Sequence, residues 1–210
     1  MPLHISSHPL VADSLRGLRD RSTPPEEYRV LARKIITLLL YEATADLPVQ
    51  HVTVQTPLKE APAIAVAGEV VAIPVLRSGL GILGPVLELL PRVSVGYIGL
   101  ERDEETAVAR IYYEKLPPMV GKVPLLLDPM LATGGSLAHT CRLLLERGAT
   151  GTIIVVCVLA APEGIAHLKE AGLDLAIYTA AVDEHLNEHA FIVPGLGDAG
   201  DRQFGSPASS

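Results

Sequence analysis

The stretch LLLDPMLATGGSLAHT, residues 125–140, sets a carboxylate, Asp128, at the end of a leucine-rich run and follows it with Thr133-Gly134-Gly135-Ser136. The first turn of a helix has backbone N–H groups without intrahelical partners. Those amides, with the positive end of the helix dipole, bind a phosphate without any basic side chain. Gly134 and Gly135 allow close approach and positive φ, and Thr133 and Ser136 add hydroxyl donors. An acid at the strand end suits ribose hydroxyls, so the stretch reads as a site for a nucleotide or a sugar phosphate. The plain alternative is a helix N-terminus capped by Ser136 or Thr133, with the glycines in an ordinary turn. A Walker loop is excluded, because its lysine is missing and the acid precedes the glycines.

Other reactive residues read more blandly. His185 and His189 are four apart with Glu188 beside them, but no third ligand has suitable spacing for zinc, and the same residues fit a structural hood. Tyr112-Tyr113 reads as a packed hairpin and is assigned no chemistry. Cys141 and Cys157 fall in a helix-like and a strand-like run without CxxC spacing, as buried reduced thiols do.

The elements that must position Asp128 are legible as runs. Residues 69–76, 93–100, 123–128, 152–161 and 173–181 are rich in β-branched residues and mostly apolar at consecutive positions, the mark of strands covered on both faces. Helix-length stretches at 81–91, 135–149 and 162–172 lie between them, the last two closing with Gly. The βαβαβ order predicts an α/β doubly wound domain with ligands at the carboxyl ends of its strands. Before the sheet, Thr23, Pro24 and Glu26 predict an N-cap, a first-turn proline and a capping-box acid for a helix to about Ala45. Its apolar positions Val30, Leu31, Ile35, Leu38 and Leu39 are expected to face a core or a subunit interface. Residues 101–122 are charged and interrupted, which leaves a solvated hairpin and a mobile lid both open. The tail, 183–205, is dense in Gly, Asp and Asn without a core strand pattern, a composition common in functional loops.

Length and composition set limits. The 210 residues, 49% hydrophobic, suffice for one well-packed core, and one domain is expected over 1–210. The apolar runs fall short of the roughly 20 residues of a membrane span, and the N-terminus does not read as a secretory signal, so a cytoplasmic location is expected. A net charge of −7 argues against non-specific nucleic-acid binding, with four basic against ten acidic side chains from Asp128 onward.

Together, PVLRSGLG (74–81), GLERDEET (99–106), DPMLATGGS (128–136), AAPEG (160–164) and DEHLNEHAFIVPGLGDAGDRQFG (183–205) resemble the uracil phosphoribosyltransferases, in family order and spacing over nearly the whole chain. The resemblance implies the type I phosphoribosyltransferase fold: a mostly parallel central sheet flanked by helices, with a flexible hairpin lid and a C-terminal hood. It divides the chain into an N-terminal helical region of about 1–48, a core of about 65–182 and a uracil-binding hood of about 183–205. The implied reaction joins uracil to 5-phospho-α-D-ribose 1-diphosphate, giving UMP and diphosphate.

The resemblance places Asp128 on the ribose hydroxyls, and Pro129, Met130, Leu131, Ala132, Thr133, Gly134, Gly135 and Ser136 around the ribose and its 5′-phosphate. Arg77 and Arg102 would meet the diphosphate, where a planar guanidinium fork suits phosphate oxygens. Ile192, Gly197, Asp198 and Ala199 would read uracil, and Asp198 could also meet the ribosyl substrate. Asp128, Arg77, Arg102 and Asp198 are the residues expected to carry the chemistry. Many members of the wider fold carry two adjacent acids in the ribose loop, whereas Pro129 stands at the second position here, so Mg2+ is expected mainly on the diphosphate and water, with no protein metal site.

The chain departs from the family pattern at Glu101, where tyrosine is common, and at 107–110, AVAR, in the expected lid. The fold's habit suggests a homodimer or homotetramer, and GTP is raised as an allosteric ligand that no residue marks out. Two other readings stay open: a nucleotide-sensing RNA-binding regulator, which needs a basic face, and the same chemistry on another base.

Overall fold

The computed structural model describes residues 1–102 and 109–205, without the side chains of Glu101, Arg102 and Ala109. The chain opens with β1 (Leu3–Ile5), α1 (Pro9–Arg19) and α2 (Pro25–Ala43), then a two-stranded hairpin of β2 (Val49–Gln55) and β3 (Glu60–Val66). β4 (Glu69–Leu76), a 3-10 turn at Ser78–Ile82 and α3 (Leu83–Leu89) follow, then β5 (Ser94–Val95), β6 (Tyr97–Arg102) and β7 (Ala109–Lys115). The second half runs β8 (Lys122–Leu127), β9 (Met130–Leu131), α4 (Gly135–Glu146), β10 (Ile153–Ala160), α5 (Pro162–Glu170) and β11 (Leu175–Val182). It closes with β12 (His185–Leu186), β13 (Ile192–Val193) and α6 (Ala199–Phe204).

The central sheet has the order β1-β11-β10-β8-β4-β6-β7, with β5 beside β4 and β9 beside β10. Every pairing in it is parallel except β6 with β7. The consecutive apolar residues of the inner strands are explained by two cores. Val70 and Ala72 of β4 join Ile35, Ile36 and Leu39 of α2 on one face. Val71, Ile73 and Val75 join Leu137, Cys141 and Leu144 of α4 and Leu168 of α5 on the other. Alternate residues point to opposite faces, and both faces are dry. The expected α/β architecture is thus present, and the resemblances reported below share it.

Several elements differ from the sequence expectation. The residue before α2 is Pro24, which makes no side-chain cap. Thr23 instead donates its hydroxyl to the Gly17 carbonyl at 2.7 Å, tying the α1–α2 turn together. Ile35 and Leu39 are buried as expected and Leu31 and Leu38 are partly so, but Val30 is 53% exposed. The run at 81–91 is shortened to the 3-10 turn and α3. The hairpin β2–β3, which no run of the sequence announced, pairs in register from Val49↔Val66 to Gln55↔Glu60. It exposes Val49, Val54, Ile64 and Val66, and Leu58 at its tip is 93% exposed. β6 and β7 pair antiparallel from Tyr97↔Lys115 to Arg102↔Ala109, with an irregularity at Gly99/Leu100. Residues 103–108, including Ala107 and Val108 of the AVAR departure in the expected lid, lie outside the described residues. No described helix is long and apolar enough to cross a membrane.

Candidate active site

The paired strands β4 and β8 end side by side, with Pro74 opposite Leu127. Arg77 and Asp128 therefore leave the sheet at the same rim, at the carboxyl ends where open parallel sheets bind ligands. The Leu76–Arg77 peptide is cis, and the turn that follows lies flat against β8: a Cβ built on Gly79 would sit 2.5 Å from the Leu127 carbonyl oxygen. Only glycine permits that approach. Arg77 is exposed, and among the described residues no carboxylate forms an ion pair with it.

Asp128 is 9% exposed. Burial pushes its carboxyl up to about 7, opposed by the Met130 amide, which donates to Oδ1 over a long 3.4 Å. A carboxylate so desolvated and so weakly partnered gains from any hydroxyl or positive charge brought to it.

The loop beyond it is sewn to β10. Val158 and Leu159 both donate to the Pro129 carbonyl, at 2.9 and 3.1 Å, and Ala161 donates to that of Leu131 at 2.8 Å. Gly134, at φ 78°, is the N-cap of α4 and offers no side-chain acceptor, so neither Thr133 nor Ser136 stands in the capping position. Thr133 Oγ1 accepts from the Gly135 amide at a long 3.5 Å. The N-cap of α4 thus places no side chain over its first-turn amides. The neighbouring helix explains the AAPEG motif. A Cβ on Gly164 would lie 2.2 Å from the Ala132 carbonyl oxygen, and one on Gly134 would lie 2.8 Å from that of Gly164. The first turn of α5 and the loop mesh through two glycines, a constraint that sequence reasoning matched as a motif without finding its cause.

The tail returns to the same rim. A Cβ on Gly81 would overlap the Gln203 side chain at 1.8 Å, and Gln203 Nε2 reaches the Ser78 carbonyl at 3.5 Å, so α6 lies on the 3-10 turn behind Arg77. Ile192 is buried in β13 and Ala199 in the first turn of α6, while Gly197 has φ 77°. Asp198 caps α6, accepting the Asp201 amide at 2.8 Å, which occupies one oxygen of a residue expected to carry chemistry. Arg102 closes β6; its side chain lies outside the described residues.

The remaining residues behave as structure. Cys141 and Cys157 are buried free thiols, both pushed up to about 12 by burial. His189 contacts Glu188 at 3.4 Å on the surface. A cavity of about 460 Å3 between α1 and α2 is lined by Leu10, Asp13, Val30, Arg33 and Thr37 among others. It holds none of the expected site residues.

The chain is similar to known proteins over nearly its whole length. A family model described as Uracil phosphoribosyltransferase matches residues 5–206. A relative of that name from Halalkalibacterium halodurans is 47% identical, over 97% of this chain and 98% of its own. Another from Symbiobacterium thermophilum is 48% identical, over 96% and 97%. A solved protein from Aquifex aeolicus superposes with a TM-score of 0.92 at 35% identity, covering 99% of this chain and 100% of its own. A hypoxanthine-guanine phosphoribosyltransferase from Bacillus anthracis, at 13% identity and a TM-score of 0.53 over 76% of this chain and 80% of its own, shares the fold.

Proposed function

The chain belongs to the uracil phosphoribosyltransferase family, and on that premise we propose how its strand-end cleft converts uracil and 5-phospho-α-D-ribose 1-diphosphate into UMP and diphosphate. The 5′-phosphate sits on the first-turn amides of α4, within Ala132–Ser136. The ribose lies over Pro129–Leu131, with its hydroxyls donating to Asp128. As the bond from the ribose to diphosphate breaks, positive charge grows on the ring and negative charge on the leaving group. The Asp128 carboxylate, already desolvated, favours the ring charge without reorganising at the moment of reaction. Arg77, and Arg102 from the end of β6, take the diphosphate. Uracil N1 bonds to the ribose carbon as the diphosphate leaves, its proton passing to the diphosphate or solvent, while the main chain around Ile192 and Gly197–Ala199 pairs with the two carbonyls and the remaining N–H. A base that exchanges a donor for an acceptor leaves buried groups unpaired and is rejected. Asp198 borders both substrates.

Mg2+ supplies charge neutralisation to the diphosphate when bound. The loop offers one carboxylate, Asp128, and next to it Pro129 has no side-chain oxygen. Such a donor set fits an ion carried on the diphosphate and water, not in a protein cage.

The observation that carries the reading is the buried, weakly partnered Asp128 beside a helix start whose N-cap is a glycine in the left-handed region. Pure protein given both substrates and Mg2+ is expected to form UMP; no UMP ends the reading. Competition with cytosine and hypoxanthine tests the base, and only uracil is expected to be consumed. The reading takes the protein as a cytoplasmic homodimer or homotetramer. The exposed apolar side chains of β2–β3 support an assembly, and sedimentation of the whole chain checks it.

A further inference from the structure

We infer that Arg19 and Asp183, both outside the substrate contacts, are positioning residues that set the affinity for uracil by gripping the peptide unit at Gly195. The inference rests on the uracil site proposed above. Asp183 follows β11, and its carboxylate, 4% exposed, accepts the Gly195 amide at 2.9 Å. Arg19, the last residue of α1, spans that carboxylate with two bonds, Nη1 to Oδ2 at 2.8 Å and Nη2 to Oδ1 at 2.5 Å. Its Nη1 also donates to the Gly195 carbonyl at 2.9 Å. Both polar groups of one glycine are thus held by one ion pair, and the two side chains come from positions 164 apart in sequence.

Gly195 sits between the segments assigned to the base. It lies three residues after Ile192 and two before Gly197. It has φ 63°, and a Cβ there would be 2.0 Å from the Ile192 carbonyl oxygen. The turn therefore folds directly onto Ile192, and a shift of Gly195 moves the neighbouring main chain. A second arginine fixes the next residue to the same abutment. Arg202 donates to the Leu196 carbonyl at 3.0 Å, to that of Asp20 at 2.5 Å and also to that of Leu18. Leu18 and Asp20 are the carbonyls on either side of Arg19, so the end of α1 is the surface on which the uracil loop is built. The phosphate loop takes its bonds from β10 and α5 instead. Loosening the clamp should be felt by one substrate and not the other.

The test is steady-state UMP formation by Asp183→Asn, Arg19→Gln and Arg19→Lys, with a thermal midpoint for each. Expected is a rise of about tenfold or more in KM for uracil, since small misplacements of a binding group are costly, with KM for the ribosyl diphosphate within about twofold. Arg19→Lys keeps the charge but not the two-armed fork, and should fall between wild type and Arg19→Gln. If Asp183→Asn fails to fold, Arg19→Lys decides by the same readout. An unchanged uracil KM in a folded variant, or both KM values rising together, overturns the inference. Should wild type form no UMP, the reading of the site itself falls. Should wild type form UMP while the variants keep its uracil KM, only the clamp falls.

Discussion

The proposed cleft has two halves, one assigned above to the phosphate and the other to uracil, and they are built by opposite means. The phosphate half, Asp128–Ser136, is held by main-chain bonds to the adjacent strand and by a glycine mesh with α5, all within about forty residues of chain. The uracil half, 183–205, is held by side chains reaching across the fold: Arg19 to Asp183, Arg202 to the end of α1, and Arg29 to the Gln203 carbonyl at 2.9 Å. A main-chain cradle has few ways to move, whereas a loop tied by long side chains can be loosened one bond at a time. The contrast suits the ligands. A phosphate asks for fixed amides in a fixed direction, while a flat neutral base asks for edges matched group by group.

Breaking the phosphate half should have the largest effects. Asp128→Asn is expected to lower turnover by about 10^3-fold, the scale of losing a preorganised electrostatic group. The same change should stabilise the unliganded protein at pH 8. The folded carboxyl, at about 7 against an ordinary 3.8, keeps a proton that the unfolded chain has released. Stability therefore declines as pH rises from about 4 to about 7, and stays at that lower level above it. The variant lacks that decline, which calorimetry at pH 5 and pH 8 would check. In wild type, kcat/KM for the ribosyl diphosphate should fall by up to tenfold per pH unit below about 7, as the needed carboxylate is protonated.

Next in size, Gly164→Ala drives a methyl group to 2.2 Å from the Ala132 carbonyl oxygen. It should raise KM for the ribosyl diphosphate by about tenfold or more, because a displaced loop spoils the amide geometry, and leave KM for uracil nearly unchanged, the mirror image of the Arg19 series. Equal loss on both substrates would dissolve the distinction between the halves. Gln203→Ala sharpens it from the middle, since Gln203 joins α6 to the turn behind Arg77. A few-fold loss in kcat/KM for each substrate is expected, with a thermal midpoint lower by several degrees, for a buried polar side chain removed against a backbone carbonyl. The smallest effect belongs to the thiols. Cys141 and Cys157, buried and pushed up to about 12, should resist alkylation in the native protein and leave activity untouched.

The contrast between the halves also explains what the sequence revealed. The inner strands were legible because they are apolar on both faces, and residues 69–76 form β4 as read. The junction from Asp128 into α4 was legible because acid, glycines and helix lie in one stretch. Thr23 misled because its hydroxyl bonds Gly17 across a turn instead of capping α2. The β2–β3 hairpin went unread because neither face of it is buried, so its apolar residues are mixed with polar ones and form no continuous run like those of the inner strands. β1 is three residues long, too short for any period. The Arg19–Asp183 pair has no local signal whatever; partners 164 positions apart are joined only by the fold.

That short strand carries a practical consequence. Leu3–Ile5 pairs in parallel with Ile177–Thr179 and covers the outer edge of β11. Strip those residues away, by a protease site placed too far in or a misjudged start, and a row of bare amides and carbonyls on a Val/Ile/Ala-rich strand faces solvent, ready to zip onto another molecule. Aggregation of a chain so trimmed would trace to three residues at the edge of the sheet opposite β7, with the proposed site residues intact.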